Sequence, residues 1–174
     1  MIRQDQSVTI RLYRPADHTQ IEWLYQRTPP AGQVAWHPMR LPDDLKRIPQ
    51  HFVAFWVAVQ RVRDEVEAVV GITGVARVGA VATGAPVPDF LETTRPTARL
   101  HHVAVAPERW RHGIGAKLVR RAIDWARDEG FEKLILETTP QQEAALQLYR
   151  AIGFVETGRS MLGTWELVWF EMDL

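Results

Sequence analysis

The chain has 174 residues, 46% of them hydrophobic and 24% charged, and 21 basic residues balance 21 acidic ones. That length suits one domain over residues 1–174 with a sizeable core, and the neutral balance gives no reason to expect a nucleic-acid partner. Cysteine is absent, which excludes disulfides, thiolate metal sites and a cysteine nucleophile, and fits a reducing, cytoplasmic setting. Met1 to Thr9 is polar, unlike a signal peptide, and no apolar run reaches the length of a membrane span, so no membrane partner is expected.

Val8 to Arg14 alternates Val8, Ile10 and Leu12 with Thr9, Arg11 and Tyr13, the period of a half-buried strand, and Pro15 stops it. Ile21, Leu24 and Tyr25 have helical spacing within Ala16 to Arg27, ended by Thr28-Pro-Pro. Residues 28–51 read as irregular, with a short helix from Asp43 to Arg47. Trp36, His37, Met39 and Arg40 make this segment either a ligand-bearing loop or a packed surface loop. Phe52 to Gln60 and Val66 to Val78 are nearly continuous apolar runs, a hairpin turning at Arg61 to Glu65. Gly79 to Pro96 lacks periodicity and reads as a loop.

Arg99 to Ala106 forms the next strand, closed by Pro107, and Gly113 to Glu129 a helix with Ile114, Leu118, Ala122 and Ala126 on one face. Gly130 ends that helix. Lys133 to Thr139 reads as a strand, Gln141 to Ile152 as a helix stopped by Gly153, and Phe154 to Leu174 as a hairpin turning near Leu162, Gly163 and Thr164. Trp56, Trp125, Trp165 and Trp169 fall on apolar faces and are assigned to the core.

The run from His102 to Val119 passes from a strand through a glycine-bearing turn into a helix. Unpaired N–H groups and the positive end of the macrodipole at a helix start favour an anion. Gly113 and Gly115 let a phosphate approach the backbone, and Arg109, Arg111, His112 and Lys117 add positive charge. A P-loop needs Gly-Lys followed by Ser or Thr, but Lys117 stands between Ala116 and Leu118. A dinucleotide fingerprint needs Gly or Ala where Leu118 stands. Neither rival fits.

These residues resemble the GCN5-related N-acetyltransferase (GNAT) family. Its motif of Arg or Gln, two residues, Gly, one residue, and Gly or Ala is met by Gly113-Ile114-Gly115, while its first position falls on Trp110. A second segment, Gln142 to Phe154, matches the family's Asn-x-x-Ala-x-x-Leu-Tyr-x-x-x-Gly-Phe, with Gln142 in place of Asn. The resemblance implies an α+β fold, a mixed but mostly antiparallel sheet flanked by helices, in which the fourth and fifth strands splay apart. It also implies acetyl-CoA as cofactor. Its pyrophosphate would rest on Arg111, His112, Gly113, Ile114, Gly115 and Ala116, its pantetheine on Val103 and Val105, with Gln142 alongside.

Acyl transfer to an amine needs a base near neutral pH, because an alkylammonium titrates near pH 10. Many family members place a Glu on the first splayed strand where this chain has Arg99. His101, two residues on, resembles the histidine of serotonin N-acetyltransferase and is the expected base, with a half-buried strand histidine as the alternative. Strand alternation turns His102 to the opposite face, against a helix. The resemblance makes Tyr149 the acid for the departing thiolate and puts Trp36 and His37 in the loop over the acceptor, while Arg99 is either a surface residue or a partner for an acidic group on the acceptor. Glu65, Glu67 and Glu92 read as solvated charges, Glu92 also as a remote base. The expected activity is transfer of an acetyl group from acetyl-CoA to a small-molecule or peptide amine, with a homodimer as the common state among relatives. The alternative is a CoA-binding or sensing domain without catalysis, raised by Trp110, Arg99 and Gln142. No metal site is expected.

Overall fold

The computed structural model describes residues 7–28, 41–63, 66–79 and 84–174. Among the described residues, seven strands form one mixed sheet in the order β1-β2-β3-β4-β5-β7-β6. They are β1 (Val8–Leu12), β2 (Ala54–Arg63), β3 (Val66–Arg77), β4 (Thr97–Val105), β5 (Lys133–Thr138), β6 (Val155–Leu162) and β7 (Trp165–Asp173). Every neighbouring pair is antiparallel except β4 and β5. The helices are α1 (His18–Arg27), α2 (Asp43–Lys46), α3 (Ile48–His51), α4 (Ile114–Asp128) and α5 (Glu143–Ile152). This is the expected α+β architecture.

The central strands are buried on both faces, as their continuous apolar sequences require. On one face Trp56 of β2 packs edge-on against Trp125 of α4, ring centroids 5.6 Å apart. Ile114, Leu118, Val119, Ala122, Ile123 and Ala126 form the buried stripe of α4, the 3.6-residue period made physical. On the other face Phe55 and His101 both stand opposite Gly74 of β3. A Cβ on Gly74 would come within 2.6 Å of the Phe55 ring and 2.8 Å of Phe52, so only glycine admits this aromatic layer.

Several boundaries differ from the sequence reading. A 3-10 turn, Pro15–Asp17, precedes α1, because Pro15 suits a helix start and Asp17 accepts the Arg14 amide at 2.7 Å. Leu12 is 56% exposed at the end of β1, whereas Arg11 is drawn in by Asp17 and Glu67, each 2.8 Å away. Glu67 is thus paired, not merely solvated. Helix α3 was not signalled, since its four residues, Ile48–His51, include Pro49 and leave no room for periodicity. Trp165 is 41% exposed near the β6-β7 turn and joins neither the larger core cluster, which holds Trp56 with Trp125 packed against it, nor the smaller one, which holds Trp169.

Candidate active site

Strands β4 and β5 pair only over Thr97↔Lys133, Ala98↔Leu134 and Arg99↔Ile135. Beyond those pairs β4 continues to Val105 and β5 to Thr138, so the two diverge into a gap. The Ala106 amide bonds to the Val70 carbonyl on the β3 side at 2.9 Å. Alternation therefore turns the Val103 and Val105 peptide groups toward the gap, as an added strand requires.

The loop after β4 closes the mouth of this gap. A 3-10 turn, Pro107–Arg109, leads to Arg111 and Gly113, both left-handed at φ 65° and 74°. Glycine adopts that backbone freely, whereas Arg111 does so at a cost of about 1–2 kcal/mol. Such reversals curl successive amides toward one side, and Gly113 caps α4 directly. A Cβ on Gly115 would meet only ordinary contacts, Leu148 at 3.4 Å and Val105 at 3.8 Å. The chain's own packing therefore does not demand glycine at this position. Arg111, His112 and Gly113 form the turn, and Ile114, Gly115 and Ala116 are the first residues of α4, whose leading N–H groups have no carbonyl partner within the helix. Arg109, His112 and Lys117 instead line a cavity of about 150 Å³ beside Ser7 and Val8, so these side chains gather toward β1.

Trp110, at the motif's first position, donates its indole N–H to the Val105 carbonyl at 2.7 Å while 55% exposed. Sequence reasoning flagged Trp110 only as a departure; its exposed neighbours gave no sign of this tether. The Gln142 amide oxygen accepts the Thr138 hydroxyl and, at 3.4 Å, the Thr139 amide. The side chain closes the β5-α5 turn and keeps only its NH2 group for a cofactor.

Tyr149 is 6% exposed on α5, its ring 5.9 Å from Phe154 and 6.0 Å from Phe170. Burial pushes its phenol well above the usual range and the Glu137 charge adds to this, so the hydroxyl keeps its proton.

The histidines depart most from expectation. Ile72 faces Ala104 and Gly74 faces His101, so Thr73 stands opposite two residues of β4, a bulge. His102 takes φ 53° there. The alternation expected for His102 fails at this point: its ring lies 6.0 Å from that of His101, and each lies 5.8 Å from Phe52. Rather than packing against a long helix, His102 Nε2 meets Asp44 Oδ2 of α2 at 2.8 Å. His101 is 8% exposed, and burial, then the Arg99 charge, push its imidazole down to about 3. It remains neutral, a poor proton acceptor near pH 7.

Arg99 is not offered to an acceptor. It is 4% exposed, paired with Glu137 through Nε at 2.9 Å and through a second guanidinium nitrogen, with Nη1 on the Ala85 carbonyl at 2.6 Å. Glu92 accepts from the Thr94 and Arg95 amides and is held well below the carboxylate range, first by the Thr94 hydroxyl, so it is no base. Trp36 and His37, with Met39, Arg40 and Glu65, lie outside the described residues.

Residues 18–154 match the family model described as the Acetyltransferase (GNAT) family. The chain is 36% identical over 141 residues to N-acetyltransferase family 8 member 3 of Rattus norvegicus, covering 78% of this chain and 54% of the relative. It is 34% identical over 137 residues to N-acetyltransferase 8 of Homo sapiens, covering 73% and 52%. The chain therefore spans about half the length of these curated relatives. Its fold is similar to that of Arabidopsis thaliana NAA60, solved in complex with acetyl-CoA, with a TM-score of 0.72, 16% identity and coverage of 97% and 100%. From a motif in the sequence, a divergent strand pair in the sheet and these likenesses together, the chain belongs to the GNAT family of acetyltransferases.

Proposed function

We propose that this chain transfers an acetyl group from acetyl-CoA to a primary amine on a small molecule or peptide. The observation that carries this reading is the gap between β4 and β5, with the glycine turn at its mouth and α5 beside it. Val103 and Val105 would hold the pantetheine by strand addition, and the 111–116 amides the diphosphate. Acetyl-CoA supplies an activated thioester. The chain's part is to align it, exclude water, take a proton from the amine and offer one at the sulfur.

Tyr149 lies on the α5 face and the histidines on the opposite face, so the gap is where groups from both sides can meet a ligand. The buried phenol stays protonated and serves as a hydrogen-bond donor to a departing thiolate. The named N-acetyltransferase relatives and the acetyl-CoA complex of a structural neighbour support the reading.

The test mixes purified protein with acetyl-CoA and a panel of amines: spermidine, phenethylamine, lysine and a short peptide with a free N-terminus. Thiol release is followed by colour and the product by mass. Amine-dependent release with a 42-dalton gain, about the mass of an added acetyl group, is expected. Tight acetyl-CoA binding with no release above buffer over the whole panel would favour the non-catalytic CoA-binding role instead.

A further inference from the structure

We propose that His102, held by Asp44, is the general base of the acetyl transfer, and that Asp44 is its positioning residue. The inference rests on the transferase reading above. Its observation is separate: a carboxylate from α2 meets a histidine that a bulge has turned out of the strand pattern.

The bulge places the ring. Opposite Thr73 the strand holds one residue too many, and His102 absorbs the excess with a left-handed backbone at φ 53°. A non-glycine residue in that region carries strain of about 1–3 kcal/mol and persists only where the surroundings impose it. Two contacts do so. Thr73 Oγ1 donates to the His101 carbonyl at 3.1 Å, and Asp44 grips the His102 ring at 2.8 Å.

Asp44 is itself fixed. Its Oδ1 accepts the Leu45 amide at 2.8 Å while Oδ2 meets His102. With Nε2–H donating to the carboxylate, Nδ1 carries the lone pair, the tautomer that a base needs. The side chains of His102 and Asp44 are 18% and 13% exposed, so the pair is reachable yet sheltered. His101, by contrast, is sealed beneath Phe52.

The surrounding groups suit this role. Tyr25 of α1 faces the His102 ring edge-on at 6.4 Å, and neutral His101 lies beside it on β4. Arg99, farther along the same strand, is paired with Glu137. Among the described residues Asp44 is therefore the anion in direct contact with His102, and burial, which raises its carboxyl, is outweighed by the His102 and Leu45 hydrogen bonds. It stays charged and favours a proton on the ring as one arrives. In the step, an acceptor ammonium gives one proton to His102 Nδ1. The neutral nitrogen then bonds the acetyl carbon as the carbon–sulfur bond breaks, the sulfur keeping its electron pair; the second proton that the new amide nitrogen sheds passes to that sulfur, giving the free thiol, and His102 returns the first proton to solvent.

The experiment compares wild type with His102→Gln and Asp44→Asn on the best amine of the panel above, across pH 5–9. His102→Gln should lower kcat/KM by about 100- to 10,000-fold at an unchanged Kd for acetyl-CoA. Asp44→Asn should lower it less and move its acid limb down by about one pH unit, a shift that a purely structural defect does not produce. Histidine-selective NMR titration gives a reading without turnover: the His102 signal should shift its midpoint downward in Asp44→Asn, whether or not an acceptor is present. Transfer by wild type with an unmoved acid limb and an unmoved NMR midpoint in Asp44→Asn overturns the dyad alone. Absence of transfer to every amine overturns the transferase reading, and the base role with it.

Discussion

Arg99 on β4 and Glu137 on β5 form a two-point ion pair just beyond Arg99↔Ile135, the last backbone pair between their strands. The pair spans the root of the cofactor gap, with the Trp169 ring 4.9 Å below the guanidinium and the Ala85 carbonyl latched to Nη1. A bidentate guanidinium fixes both distance and angle between two strands that share no further hydrogen bonds. Removing one partner strands the other in the interior. Arg99→Ala is expected to cost about 3–5 kcal/mol, whereas Arg99→Leu with Glu137→Leu should recover most of it. Urea unfolding measures both. The double variant should still bind acetyl-CoA more weakly, since the gap loses its brace; wild-type affinity would show that the pair serves stability alone.

Trp110 bears on the same cofactor from the other end of the gap. Its bond to the Val105 carbonyl ties the glycine turn back to β4. A carbonyl has two lone pairs, so Val105 can serve the indole and a ligand amide together. Trp110→Phe removes the tether and keeps most of the ring. Isothermal titration should then show Kd for acetyl-CoA raised about 3- to 10-fold, the equivalent of one hydrogen bond. A lower Kd would mean that the indole competes for the carbonyl.

The part of this site that was legible in the sequence is the part built from local rules. The turn at Gly113 and the helix after it were legible because a left-handed residue at a helix start needs only neighbours in sequence. The strand segments and the burial of Trp56 and Trp169 followed from apolar runs of strand length. His102 was misplaced because alternation presumes an unbroken ladder, and a bulge is a property of β3 and β4 together. Asp44 gave no signal either. It sits 58 residues from His102 in a helix of four residues, so only the tertiary fold reveals the pairing. Arg99 was left between the surface and an acceptor because its partner, Glu137, lies on another strand.

Thr73 tests the bulge directly. It is fully buried, and its hydroxyl donates to the His101 carbonyl beside the bulge. Thr73→Val preserves shape and removes the donor, leaving a buried carbonyl without that bond, at a cost of about 1–3 kcal/mol. The local conformation of His102 should loosen as well. The expected result is a lower midpoint in urea together with a loss of turnover larger than the fall in folded fraction. Equal losses in both would confine Thr73 to stability.

His101 links the fold to pH. Its pKa is pushed down to about 3 in the folded chain, burial first and the Arg99 charge second, against 6.5 for an unperturbed histidine. The unfolded chain therefore binds a proton that the folded one refuses. The sign follows: this contribution to stability is complete above about pH 6.5 and is lost as pH falls toward 3, at about 1.4 kcal/mol per pH unit. Between pH 6.5 and 5 the carboxylates are still ionised, so the loss there is carried by histidine. Urea unfolding at pH 7, 6 and 5 should show wild type weakening steadily, and His101→Gln weakening less over the same interval even if it starts lower. Parallel lines for the two proteins would show that His101 takes up its proton without unfolding, and that its ring is open to water despite its place beneath Phe52.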